Sequence, residues 1–544
     1  MKNIKIIIAV AIALSIFSCS DDFLDLKQPV APTLETYYTD TVTAFNGLVG
    51  CYNSLQQVPT PERPIGVLFL LDIRSDDTDY AGNPRGATEE RNYYNAAGFA
   101  NFDIYSDNAH AKTLWNYGYR GINTVNKYLE GISVIELSSP SQQALIEQYR
   151  SEAKFLRAYF YFQLVKNFGD VPLITRTLDE ADWYNQRRIP VKQVYEQIFT
   201  DLREAIPNLP LKSEYPKTMA NRITKGAAQA LLSKTLITEA ETDAASKNWQ
   251  EAFNLCNEIE NSGQYNLNTN FKDIFTNANQ FSSEVVFDIV FEESISSEID
   301  AYVHYFSPRF LFINGKPDQS EKMKYGFGVY GITEDLANQF GYSQNDDSNT
   351  YLNLKDGRGR YTFWAQWDTY CGLNVVDRLT TRPETKNPEN PDDANYYSRK
   401  YNREAPATNY YVGGKNLHFI RYAEVLLIKA EASYYLNKPD EALRMVNLVR
   451  ERAFREAITK GSTTLVEISR KSSGTQLLED IWQERRLEFA GEGDRFYDLK
   501  RTKRLHILKE KKPEIFFQAG KHELLPIPSS ELSKAPYITQ NPGY

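Results

Sequence analysis

Cysteine and histidine are scarce: the 544 residues hold four of the first and five of the second. Cys19, Cys51, Cys256 and Cys371 are widely spaced and form no C-x-x-C pair. That excludes a disulfide framework and a cysteine zinc site, and leaves room for one bridge whose pairing the spacing does not reveal. The histidines are scattered, without H-E-x-x-H, and no G-x-S-x-G occurs, so neither a zincin helix nor a serine-hydrolase elbow is present. Past residue 17 no apolar run approaches the length of a membrane-spanning helix. Positive charge is short as well: the net charge of −9 argues against nucleic acid or an anionic lipid surface as the main partner. Aromatic residues, in contrast, make up 13% of the chain, with 36 tyrosines and six tryptophans. Tyrosine offers a flat apolar face and a polar tip, useful in cores and in wet binding surfaces. Hydrophobic residues at 42% allow a sizeable core.

The chain begins with Lys2 and Lys5, an apolar run from Ile6 to Phe17 broken only by Ser15, then Ser18 and Cys19. A short positive region, an h-region of this length and a small residue constitute a secretory signal, here residues 1–18. Ile16-Phe17-Ser18-Cys19 resembles a bacterial lipobox, in which cleavage leaves Cys19 to carry the lipid. Several acyl chains anchor stably because each buried CH₂ contributes roughly 0.8 kcal/mol. Ser20-Asp21-Asp22 resembles the acidic signal that sends Bacteroidetes lipoproteins to the cell surface. The expected location is the outer membrane, lipid-anchored and facing the exterior.

After a tether over about 19–38, Asp40 is placed to cap a helix through Ala44, Leu48, Tyr52 and Leu55. Residues 59–108 lose periodicity. Helical texture returns at 114–129, 142–168, 191–206, 222–240 and 249–262. Two apolar stripes on 142–168 predict a helix buried between neighbours, ended by Gly169. Glu284–Phe291 alternates like a strand, and 300–416 is irregular again. Helices are expected at 418–436, at 439–453 with Pro439 in its first turn, and at 477–490 up to Gly491. Alanines and aromatics at close-contact positions resemble tetratricopeptide hairpins separated by long insertions.

Four blocks give a more specific resemblance. They are Glu152 to Leu173, Ile420 to Ala432, Glu484 to Arg501, and Leu525-Pro526-Ile527-Pro528 with the ending Gln540 to Tyr544. With the lipobox they are similar, in order, to the SusD/RagB family of surface nutrient-binding lipoproteins. The resemblance implies one mainly α domain over 19–544: four tetratricopeptide-like hairpins, including 142–262 and 418–501, packed against a loop-rich ligand face with a few short strands, about 59–108 and 300–416. It also implies an oligosaccharide ligand, a SusC-like TonB-dependent outer-membrane transporter as partner, no cofactor and no catalysis.

Sugar binding needs aromatic rings for the C–H faces of the ligand and polar side chains for its hydroxyls. Two loop regions hold that mixture, so the candidate ligand residues are Asp76, Asp77, Tyr80, Asn92, Tyr93 and Tyr94, then Tyr325, Arg360, Trp364, Trp367 and Tyr370. A turn or cap role competes for Asp76, Asp77 and Asn92, and a loop-core role for Trp364 and Trp367. Glu484, Arg485, Arg486, Glu488, Arg495 and Asp498 read as an ion-pair network rather than a catalytic pair, as do Glu152, Arg157 and Asp170. Gly326 to Gly331 matches G-x-G-x-x-G but follows no buried strand, and reads as a flexible loop. Asp346, Asp347 and Asp356 lack EF-hand spacing and read as solvated charge, so no metal site is expected. An extracellular glycoside hydrolase and a peptide-binding or structural tetratricopeptide-like scaffold are the alternatives. Replacing Cys19 by alanine is expected to abolish palmitate labelling in the native host; undiminished labelling of Cys19→Ala would remove the lipid anchor from this reading.

Overall fold

The structure, a computed structural model, describes residues 34–56, 71–80, 97–292, 311–313, 316–317, 330–343, 346–364, 369–370, 373–375, 396–401 and 414–544. Side chains start its longer helices. The Asp40 carboxylate accepts from the N–H groups of Val42 and Thr43 at 3.0 and 2.8 Å, opening α1 (Thr41–Gln56). Asn108 caps α2 (Ala109–Gly131), and Ser139, followed by Pro140 in the first turn, caps α3 (Pro140–Phe168). Gly169 at φ +70° ends α3, where a side chain would be strained. Next come α4 (Val191–Ala205), α5 (Lys225–Ala240) capped by Thr224, and α6 (Asn248–Asn261). α7 (Tyr422–Tyr435) and α8 (Pro439–Ala453) form a hairpin, followed by α9 (Gly474–Glu488) and α10 (Arg495–Arg501).

Each helix from α1 to α8 packs on its neighbour in the chain, and α9 closes on α7 and α8. The result is mainly α and tetratricopeptide-like, as expected. From Ser151 to Phe168, α3 buries every residue but Lys154, because both of its apolar stripes meet other elements. Gly118 and Gly121 let α2 approach it closely: a methyl group on Gly121 would overlap the Phe160 ring, and one on Gly118 would lie 2.5 Å from Leu164 Cγ.

The strands are short. They are β1 (Thr78–Tyr80), β2 (Val285–Ile289), β3 (Leu311–Ile313), β4 (Lys316–Pro317), β5 (Tyr330–Ile332), β6 (Phe363–Trp364), β7 (Thr369–Tyr370), β8 (Leu373–Val375), β9 (Tyr396–Ser398) and β10 (Leu417–Arg421). One sheet has the order β1-β5-β9-β6, a second β4-β3-β8-β7, and β2 pairs with β10. All the pairings are antiparallel. The β2–β10 ribbon lies on α3, where Phe155 meets Phe287 edge-on at 4.8 Å and Tyr159 meets Phe419 at 4.9 Å.

Three expectations need correction. Residues 418–421 belong to a strand, not to the start of a helix: Leu417 pairs with Ile289 and Arg421 with Val285, so pairing with β2 outweighs local helical pattern. Tyr330 and Gly331, read as part of a flexible loop, lie in β5 between β1 and β9; residues 326–329 lie outside the described residues. Helix α10, and short helices at His506–Lys511 and Ser529–Lys534, follow Gly491 where no helix was expected. Among the described residues no helix is long and apolar enough to cross a membrane. Gly121→Leu is expected to lower the unfolding free energy by about 3 kcal/mol through overpacking against Phe160. A urea midpoint equal to that of the parent protein would show that Gly121 does not set the α2–α3 spacing.

Candidate functional site

The charged blocks are structural, as the sequence suggested. Arg421, at the end of β10, lies inside the protein and reaches Glu284 at 2.7 Å, Glu488 at 2.9 Å and Glu492 at 2.8 Å. Arg452 from α8 joins two of these carboxylates, meeting Glu284 at 2.8 Å and Glu488 more closely. Arg358 reaches Glu484 at 2.8 Å and Asp356 at 2.7 Å. Burial alone would raise the pKa of Glu488, but Arg452, Arg421 and Arg358 hold its carboxyl well below the usual carboxylate range. Glu152 pairs with Arg222, and Arg157 with Asp201 at 2.7 Å; Asp170 accepts from the Val191 N–H at 2.8 Å. These carboxylates are occupied by arginines or backbone, which is the arrangement of a scaffold rather than of an acid–base pair.

The loop candidates divide. Asp76 and Asp77 were expected to meet ligand, but both are buried in ion pairs. Asp76 takes both arms of Arg495 at 2.8 Å, and Asp77 accepts from Arg486 Nε at 2.7 Å. Their role here is to fasten the segment before β1 to α9 and α10. Asp335 lies close enough to them for three carboxylates to share a cation, but Arg486 already bridges Asp77 and Asp335. Tyr80 is buried on β1 opposite Tyr330. Asp356 is likewise buried against Arg358 instead of solvated, while Asp347 caps a turn through the Thr350 N–H at 2.8 Å and Asp346 accepts from the Ser343 N–H at 2.7 Å. Tyr370 lies in β7. Cys19, Asn92, Tyr93, Tyr94, Tyr325, Trp367 and Cys371 lie outside the described residues. Cys51 and Cys256 are buried free thiols, each pushed up to about 12 by burial.

Arg360 and Trp364 do come together, at the short helix Gly359–Thr362 and the strand β6 that follows it. Trp364 is 6% exposed, and the Arg399 guanidinium lies 4.1 Å from its ring and 5.6 Å from the ring of Tyr361. Arg399 also donates to the Arg360 carbonyl at 2.9 Å. Trp364 therefore supports a ledge from beneath, and the half-buried Tyr361 is the ring left at its edge. Tyr361 borders a cavity of about 320 Å³ whose wall also includes Phe271, Lys272, Arg452, Arg455 and Lys460. Arg360 reaches toward the same place, 3.7 Å from Glu456. Sequence reasoning missed this cavity because its residues come from three distant segments. The short helix after α8, Arg455–Thr459, with Arg455 at its start and Lys460 at its end, was the one local signal.

Comparison with known proteins places this geometry. The SusD family model matches residues 283–544, and a second model, described as starch-binding associating with outer membrane, matches residues 73–237. The chain belongs to the SusD/RagB family. All four blocks singled out in the sequence fall inside the matched regions. SusD-like protein P25 of Formosa agariphila is 26% identical, with 100% of both chains covered. A SusD-like protein of Bacteroides ovatus is 24% identical over 92% of this chain and 82% of its own. Among solved structures, a laminarin-binding SusD-like protein superposes with a TM-score of 0.72 at 25% identity, covering 93% of this chain and 100% of that one. Surface glycan-binding protein A from Bacteroides fluxus shares the fold, with a TM-score of 0.72 at 22% identity over 93% of this chain and 100% of its own.

One buried group before β1 makes the SusD-family scaffold sensitive to pH. Asp72 is pushed up to about 7, chiefly by burial, while the hydroxyl donated by Tyr330 partly opposes the shift. The folded protein therefore holds this proton more tightly than the unfolded chain. Its contribution to stability is complete below the ordinary value of 3.8 and is lost as pH rises through about 7. Asp72→Asn cannot ionise, so its urea midpoint should fall less than that of the parent between about pH 4 and about pH 8. Equal losses in the two proteins would contradict the assignment.

Proposed function

We propose that this SusD-family protein is a non-catalytic glycan-binding lipoprotein of the outer membrane. It captures oligosaccharide at the cell surface and passes it to a SusC-like TonB-dependent transporter. The observation that carries the reading is the end-to-end likeness to a laminarin-binding SusD-like protein. The description of the second family model supports association with the outer membrane, and Cys19 would supply the anchor. The domain boundaries fit this use: a signal over 1–18, a short tether, and one body to residue 544.

The ledge and cavity beside Tyr361 are the proposed sugar site within the described residues. Tyr361 offers a ring edge and face for pyranose C–H groups, while Arg360, Arg455 and Lys272 offer donors to hydroxyls. Asn92, Tyr93, Tyr94, Tyr325, Trp367 and Tyr370 remain proposed contacts. Capture of this kind needs only modest affinity; a millimolar dissociation constant corresponds to about −4 kcal/mol.

Affinity gels cast with a panel of soluble glycans are expected to retard the protein in at least one gel. Tyr361→Ala should migrate faster there, with a loss of about fivefold or more in affinity, the scale of one aromatic contact. No reducing ends should accumulate, and a SusC-like barrel should co-purify from native membranes. Release of reducing ends would favour the hydrolase alternative, and absence of retardation on every glycan would favour the scaffold.

A further inference from the structure

The protein is negatively charged as a whole, yet the cavity beside Tyr361 has a positive rim. Lys272, Arg455 and Lys460 line it, and all three are exposed. Arg360 approaches from the adjoining short helix. Glu456 is the acidic residue among the lining groups; it pairs with Lys460 at 2.8 Å and lies 3.7 Å from Arg360. A hydrogen bond from Lys460, reinforced by the charges of Lys460, Arg360 and Lys272, holds the Glu456 carboxyl below its usual range. Arg455 has a weaker tie, 3.3 Å to Glu451 on the previous turn. No ion pair of Lys272 occurs among the described residues. Cations therefore outnumber carboxylates around a space of about 320 Å³.

Deeper in, the walls change character. The Phe271 ring is buried, and the Arg452 guanidinium carbon lies 5.2 Å from its centre. Arg452 spends its two terminal nitrogens on Glu284 and Glu488, but its buried Nε–H has no acceptor among the described residues. Gly357 brings backbone to the edge, with its N–H bonded to the Ala453 carbonyl at 3.1 Å. An aromatic floor, an unused guanidinium N–H and a rim of exposed ammonium and guanidinium groups suit a sugar ring bearing an anionic substituent.

We propose that this cavity selects glycans carrying a negative charge, a carboxylate or a sulfate ester on the ring, over their neutral counterparts. The inference rests on the glycan-binding reading above and narrows it to a substrate class. Tyr361 takes the C–H face, while Lys272, Arg455 and Lys460 meet the anion. Exposed charge pairs are individually weak, so selectivity comes from several acting together and weakens with salt.

The test uses the full mature chain and isothermal titration with four probes: oligogalacturonate, its methyl ester, a sulfated galactan oligosaccharide and the same galactan desulfated. The expected result is that at least one charged probe binds about tenfold more tightly than its uncharged partner, a difference of about 1.4 kcal/mol. That advantage should shrink between about 0.05 and about 0.5 M salt. Which pair shows the difference tells carboxylate from sulfate. Lys272→Gln combined with Lys460→Gln should remove most of the advantage, weakening the charged probe far more than its uncharged partner; Arg455→Gln, on another side of the rim, should reduce it in part. Equal affinity within both pairs, or an advantage that the lysine variants keep, would overturn the proposal. If the neutral probes bind with no gain from charge, glycan binding survives and the selectivity falls. If none of these probes and no glycan in the gels binds, both fall.

Discussion

The guanidinium of Arg421 is the junction on which the rest of the structure depends. It stands where β10 becomes α7, and its partners come from the start of β2 and from the end of α9 and the turn beyond. An arginine with no water contact cannot be left bare, so the chain must bring Glu284, Glu488 and Glu492 to one place. Arg452 needs two of the same carboxylates, which ties α8 in as well. A buried network of this kind need not add net stability over apolar packing. Its effect is to penalise every other register, because a slip of β10 by one residue would turn Arg421 to the opposite face.

A second consequence concerns how insertions can be long and still belong to one body. The segment before β1 is held by Asp76 on Arg495 and Asp77 on Arg486, and the short helix carrying Arg360 is preceded by Arg358 on Glu484 and Glu488. Each insertion is therefore pinned near its root to α9 or α10, while its outer parts are left for other work. The ledge of Arg399 on Trp364 sits just beyond one such root. The scaffold supplies rigidity, and the groups proposed to meet sugar project from it.

The helices were legible in the sequence because their signals are local: Asp40, Pro439, Gly169 and the two stripes of 142–168 each act within a turn or two. The ion-pair blocks were legible because charged residues flanking apolar helices need partners wherever those lie. Of the strands only β2 was legible; the others, β10 apart, are two or three residues long and carry no period to read. The boundary at Arg421 failed for a related reason: Leu417 to Ile420 suits a helix or a strand equally, and only β2 decides between them. Arg360 and Trp364, picked from composition, lie close together beside the candidate cavity, but Asp76 and Asp77 were assigned to ligand because their arginine partners lie 419 and 409 positions away. The cavity was invisible for the same reason, its wall being assembled from segments near 271, 361 and 455.

Those separations of 419 and 409 positions bear on how the chain is made. Synthesis proceeds from the amino end, so Asp76 and Asp77 emerge long before Arg495 and Arg486 exist. Until nearly the whole polypeptide has been delivered, the first insertion has no anchor and its carboxylates must stay in water. The scaffold can nucleate helix by helix along the way, since each packs on the one just made. The root of the first insertion is thus the last part to set, and a chain terminated before Arg486 would hold a good share of its helices with that segment unanchored.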